Sequence, residues 1–199
     1  MPLRPPEPGS FEHLLEEALV PADTLVRLSR YPRTEPWWSH GRHRFDGPLP
    51  DTPGSFGTCY AAQRLQVAFA ESVIHECGWF RNGRYEVPEA DLKARHIVTL
   101  QRLDKPKLVL ADLTGKALKN LGLNNDVSAG DDYEPTMAWA AAIHHASVKW
   151  DGIRYVSRQH NDEYVVALFE RSQVGKHRSQ PLQGKQLDDL CNEFKVVSV

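Results

Sequence analysis

The stretch from Arg64 to Glu76, RLQVAFAESVIHE, leaves the fold least choice. Leu65, Val67, Ala68, Phe69, Ala70, Val73 and Ile74 project in nearly every direction at about 100° per residue. A helix here is apolar almost all round and belongs inside a core, not on a surface. In its middle stands Glu71. A carboxylate in that setting loses hydration, at a cost of several kcal/mol unless something compensates. One account is a structural ion pair with an arginine or with His75, one turn along the same face. The other is an acid lining a pocket, where it accepts ligand hydroxyls or steadies a developing cation. The pattern alone weighs the two equally.

The rest of the chain can supply such a core. Its 199 residues fit one domain, and 41% hydrophobic with 25% charged residues is ordinary for a globular protein. Lys plus Arg number 24 against 26 Asp plus Glu, so no global charge draws the chain to nucleic acid or anionic lipid. Neither direct nucleic-acid binding nor a membrane partner is expected. Cys59, Cys77 and Cys191 are far apart without a C-x-x-C spacing, which suggests neither a disulfide framework nor zinc. Reduced thiols and a cytoplasmic location are the expectation. The opening Met-Pro-Leu-Arg-Pro-Pro-Glu-Pro lacks the apolar region of a secretory signal.

Residues 1–9 carry four prolines and read as a loose arm. Phe11, Leu14, Leu15, Ala18 and Leu19 then recur at helical spacing after Ser10, a helix cap, so 1–23 is expected to be an arm and a helix. The domain proper is expected over 24–199. It begins with a strand over Thr24–Ser29, followed by a long loop rich in Pro, Gly, His and Arg from Pro32 to Ser55, a type of segment that is usually functional. A buried strand over Phe56–Ala62 precedes the Glu71 helix. Strands at His96–Leu103 and Lys107–Ala111, helices at Leu113–Leu121 and Pro135–Val148, and a hairpin of Ile153–Ser157 with Tyr164–Phe169 come next. A terminal helix at Gln186–Phe194 and an edge strand at Val196–Val199 complete the reading. Elements mix without regular β-α alternation, so the fold class is α+β, not a doubly wound sheet.

Five arginines flank the long loop: Arg27, Arg30, Arg33, Arg42 and Arg44. Guanidinium forks match phosphate oxygens, and several around one cleft would hold a diphosphate. Arg30, Arg33 and Arg42 read as solvated loop residues. Arg27 lies inside a strand, and Arg44 is followed by Phe45, a ring that could stack on a base or nicotinamide. Tyr60, mid-strand, and Ser157, at a strand end, read by default as a core residue and a turn former. No H-E-x-x-H, P-loop, G-x-G-x-x-G or G-x-S-x-G pattern is present, so a metal site, a classical nucleotide loop and a hydrolase serine elbow are not expected.

Taken in order, Arg44-Phe45-Asp46, FGTCYAA with Tyr60, AFAESV with Glu71 and GIRYVSR with Ser157 resemble the RES domain, a family named for its Arg, Glu and Ser. The resemblance runs from about Leu25 to Phe169. It implies a single α+β domain similar to the ADP-ribosyltransferase fold, with mixed sheets flanked by helices. It also implies an NAD+ glycohydrolase or phosphorylase that needs no metal and no cofactor, with NAD+ as substrate and inorganic phosphate as a conceivable co-substrate. Many members are toxins paired with an Xre-type antitoxin, and a homodimer is compatible with the sequence. Carried over by motif, Glu71, Arg44 and Ser157 fall on the catalytic trio, and Arg27, Arg44, Tyr60 and Phe45 on the NAD+-binding wall. The chain departs from the family just after the arginine, where it has Phe45, Asp46 and a proline-rich loop: many toxins carry a Gly-Arg-Trp cluster and a shorter connection to the tyrosine. An ADP-ribosyltransferase acting on a macromolecular target is the alternative enzyme. A non-catalytic NAD+ sensor is less favoured, and a ribonuclease would want a basic face that is not evident.

Overall fold

The computed structural model describes residues 3–7 and 9–199. Eleven strands are present among them. They are β1 (Glu17–Val20), β2 (Val26–Ser29), β3 (Thr58–Ala62), β4 (Trp79–Arg81), β5 (Arg84–Val87), β6 (His96–Gln101), β7 (Leu108–Leu113), β8 (Gly152–Val156), β9 (Tyr164–Phe169), β10 (Gly175–Pro181) and β11 (Val196–Ser198). Eight of them form one sheet in the order β1-β7-β8-β9-β3-β2-β6-β10. Only β7 and β8 pair in parallel there; the other neighbours are antiparallel. A small sheet, β11-β5-β4, stands beside it.

Strand periodicity puts successive side chains on opposite faces, and both faces of the large sheet are covered. On one, Cys59, Val98, Leu100, Leu110, Val166 and Leu168 form a compact cluster. On the other, Ile153, Val165, Ala167 and Phe169 pack with Phe69, Val73, Trp139 and Ile143 from the helices. The helices are α1 (Leu65–Phe69), α2 (His75–Cys77), α3 (Glu89–Lys93), α4 (Gly115–Asn120), α5 (Asp126–Ala129), α6 (Glu134–Ala146) and α7 (Lys185–Glu193). A π-helical segment, Ala70–Ile74, joins α1 to α2 without a break. The α+β class is thus realised as one large mixed sheet flanked by helices. Among the described residues no helix is long and apolar enough to cross a membrane.

The helix expected from Ser10 is not formed. A single 3-10 turn (Glu12–Leu14) gives way to β1, whose Ala18 and Val20 are buried while Glu17 and Leu19 face out. The apolar residues there satisfy a period of two as well as 3.6, and pairing with β7 decides between them. Residues 17–20 therefore belong to the main sheet and are no detached arm. Several further elements have no counterpart in the sequence reading, among them the β4–β5 hairpin, α3, α5 and β10. The β4–β5 hairpin turns on Asn82 and Gly83, both at positive φ, an Asn-Gly signal that the sequence displays plainly. β10 is a polar edge strand with almost no apolar pattern.

Candidate active site

The helix carrying Glu71 packs as its composition demands: Val67, Ala68, Phe69, Ala70, Val73 and Ile74 are buried. Glu71 is not sealed among them. It lies in the π segment, where the His75 amide donates to the Ala70 carbonyl five residues back and the Ser72 hydroxyl donates to Ala68 O at 2.5 Å. Such widened turns recur where a helix must aim one side chain at a site. Here Glu71 is half-buried and lines a cleft of about 1020 Å³.

β8 ends at the cleft, and Ser157 follows it, fully buried. Its hydroxyl lies 2.6 Å from Glu71 Oε1 and accepts the amides of Gln159 at 3.2 Å and His160 at 3.0 Å. With both lone pairs so used, the hydroxyl proton points at the carboxylate. The Gln159 amide also approaches Glu71 Oε1, at 3.5 Å. Glu71 Oε2 has no hydrogen bond among the described residues and is left to the cleft. Beneath the acid, Tyr155 is held neutral, its phenol pushed far up by burial and then by the Glu71 charge.

The long loop delivers Arg44. A turn closes from the Asp46 amide to His43 O at 3.0 Å, and Gly47 comes next at a point where a Cβ would stand 2.3 Å from the Phe56 carbonyl. This close approach lays the loop on the chain leading into β3. Arg44 Nη1 donates to Gly130 O at 2.8 Å, and the guanidinium sits 4.7 Å from the centre of the Tyr133 ring. Tyr60, on β3, lines the cleft. Its hydroxyl accepts the Phe45 amide at 2.8 Å and donates to Asp46 Oδ1 at 3.0 Å. Burial and the Asp46 charge raise the phenol pKa well above its usual value.

Arg27 reaches the same cleft from β2, but its Nη1 donates to Tyr60 O at 2.7 Å and its Nε lies 2.7 Å from Glu35 Oε2. Phe45 does not reach the cleft. It is wholly buried, with its ring 4.6 Å from that of Tyr155, so its assignment to the NAD+-binding wall is corrected. Adjacent residues in a pinned turn point to opposite sides, and the apolar one goes to the core. The structure thus brings Glu71, Ser157, Arg44, Tyr60 and Arg27 to one place.

The loop arginines read as solvated are only partly so. Arg30 and Arg42 line the cleft together with Arg27, Arg44, Arg95 and Arg158, against Glu35, Glu71 and Glu76. Arg30 pairs with Asp91 at 2.5 Å, Arg95 with Glu76 at 3.5 Å and Arg158 with Asp131 at 2.6 Å. Arg42 and Arg44 have no carboxylate in ion-pair range among the described residues. The cleft thus holds six arginines against three glutamates, with Arg42 and Arg44 outside ion-pair range of any described carboxylate, an arrangement suited to a ligand with a diphosphate and a sugar. Sequence reasoning passed over Asp46, Glu35, Tyr133 and Tyr155. An acid two positions after Arg44 and a tyrosine two before Ser157 were the available signals.

The family description "RES domain" matches residues 24–188 of the chain. Comparison with curated proteins finds no match. Among solved structures, a chain of the M. tuberculosis MbcT-MbcA toxin-antitoxin complex is similar in fold. The TM-score is 0.58 at 18% identity, covering 88% of this chain and 91% of that one.

Proposed function

Because this chain belongs to the RES domain family, we propose that it degrades NAD+ by breaking the nicotinamide–ribose bond and serves as the toxin of a toxin–antitoxin pair. The observation carrying the chemistry is the divided environment of Glu71: one oxygen is held by the buried Ser157 hydroxyl and the other is open beside the arginines. The free oxygen would accept the ribose hydroxyls. Its charge would favour the oxocarbenium-like state that develops as nicotinamide leaves as a neutral molecule. No base is needed for that departure, because the bond breaks with its electron pair moving onto the pyridinium nitrogen.

Arg44, in ion-pair range of no carboxylate among the described residues, is the main phosphate ligand in this reading. Arg27, tied to Glu35, holds the strand carrying Tyr60 and adds a weaker positive field. Tyr60 packs along the nicotinamide ribose, and the exposed rings of Tyr31 and Trp37 on the cleft wall offer stacking for the bases. Water or inorganic phosphate then captures the sugar carbon, giving ADP-ribose or its 1″-phosphate. The toxin assignment is supported by the fold neighbour, which comes from a toxin–antitoxin complex. An Xre-type antitoxin is the proposed partner.

Chromatography of labelled NAD+ incubated with the purified chain, with and without phosphate, tests the chemistry. Free nicotinamide with ADP-ribose or its phosphate is the expected result. Label transferred to macromolecules would instead indicate ADP-ribosylation, and intact NAD+ would refute the proposal.

A further inference from the structure

Asp46 is fully buried, and no cation pairs with it among the described residues. Four donors compensate it instead. Oδ2 accepts from Ser39 Oγ at 2.6 Å and from the amides of Arg42 at 3.0 Å and His43 at 2.9 Å, while Oδ1 accepts from the Tyr60 hydroxyl at 3.0 Å. The same hydroxyl accepts the Phe45 amide at 2.8 Å, and Thr58 Oγ1 donates to Phe45 O at 3.2 Å. The backbone before Arg44 is thus held directly by this carboxylate, and the backbone after it is held through Tyr60. Between the two clamps only the Arg44 side chain is left to project into the cleft.

We infer that Asp46 is the positioning residue of the site: it sets where the Arg44 guanidinium stands relative to Glu71 without itself touching substrate. A carboxylate suits this place because every neighbour is a donor. An amide would aim its own N–H groups at one of them. If its oxygen kept the two backbone amides, its nitrogen would face Tyr60 and force that hydroxyl to turn its proton elsewhere. The clamp after Arg44 would loosen while the Glu71–Ser157 pair, on other elements, stayed as it is. The inference rests on the NAD+-degrading reading for its kinetic test, but not for its structural one.

Asp46→Asn tests it, with Ser39→Ala as a milder variant that removes one donor and leaves the carboxylate. Asp46→Asn should raise KM for NAD+ by about tenfold or more while kcat changes by less than about threefold, the pattern of lost positioning for binding. Ser39→Ala should shift KM in the same direction by a smaller factor, and it carries the test if Asp46→Asn does not fold. Amide hydrogen exchange supplies a readout independent of activity: Arg42, His43 and Phe45 should exchange faster in Asp46→Asn, with the Glu71 helix unchanged. Wild-type kinetics and exchange in folded Asp46→Asn would overturn the inference, as would a fall in kcat alone at unchanged KM. If the wild-type chain leaves NAD+ intact, the proposed activity fails, and the exchange data still decide the role of Asp46.

Discussion

Arg27 is neutralised by Glu35: its Nε lies 2.7 Å from Oε2, and the glutamate side chain is 2% exposed. Arg44, in the same cleft, has no carboxylate in ion-pair range among the described residues: it contacts the Gly130 carbonyl and the Tyr133 ring, and Asp131 acts on it only through space. The two arginines should therefore fail differently. Arg27→Met strands a buried carboxylate and should cost about 3 kcal/mol of folding stability. Arg44→Met should instead weaken NAD+ binding roughly tenfold to a hundredfold, the worth of hydrogen bonds to a charged group. Urea denaturation and calorimetry separate the cases; equal NAD+ affinity in Arg44→Met would count against its phosphate role.

Glu71→Gln keeps the shape of the side chain and removes its charge. Turnover should drop about 100-fold or more, while NAD+ affinity moves only a few-fold. Ser157→Ala should cost less, roughly tenfold in kcat, because it releases one oxygen of an acid that remains charged. Single-turnover kinetics with calorimetry check both, and near-normal turnover in Glu71→Gln would end the proposed role.

Phe45, packed on Tyr155 and wholly buried, should behave as a core residue. Phe45→Ala should lose about 3–5 kcal/mol of stability. Denaturation midpoints measure it, and a variant as stable as the wild type would mean that the ring is not packed as described.

His144 lies flat on Phe56, ring centres 4.0 Å apart, with Nδ1 buried and without a hydrogen-bond partner among the described residues. Burial, then the Arg171 charge, pulls its pKa down to about 4. In the unfolded chain the ring titrates near 6.5. Between those values the unfolded state binds the extra proton, so stability falls as pH drops from about 6.5 to about 4. His144→Phe should flatten the fall of Tm over that window. An unchanged slope would show that His144 does not titrate differently on folding. His43, whose pKa is also lowered by burial, would add to the wild-type slope in the same sense.

Where local pattern and tertiary demand coincide, the sequence can be read directly. The all-round apolar Glu71 helix, the buried β3 and the β8–β9 hairpin are such places. The grouping of Arg44, Tyr60, Glu71 and Ser157 is not: it comes from the family resemblance, since Tyr60 and Ser157 by themselves read as a core residue and a turn former. The sequence misleads where two periods fit the same residues, as at Ala18 and Val20, whose strand exists because β7 offers an edge. Partner identity is hidden too. Nothing near Arg27 in sequence announces that Glu35, eight positions on, will neutralise it. Nor does Asp46 reveal in a one-dimensional pattern the four donors that gather around it. These depend on how a long irregular loop closes, which periodicity does not describe.

The π segment makes the length of the helix part of the site. Upstream of it the chain must meet β3; downstream, Cys77 must reach the Arg30 and Arg95 side chains, whose Nη2 atoms stand 3.0 and 3.4 Å from its sulfur. Deleting one residue within Ala70–Ile74 would let the segment close as an ordinary α-turn, because an i→i+5 turn holds one residue more than an i→i+4 turn, and the flanking helices would keep their phase. Cys77 would stay with its arginines, but the side chains inside the segment would be re-aimed and Glu71 would leave Ser157. A single-codon deletion there should thus be as damaging as replacing the acid itself, even if every named side chain survives.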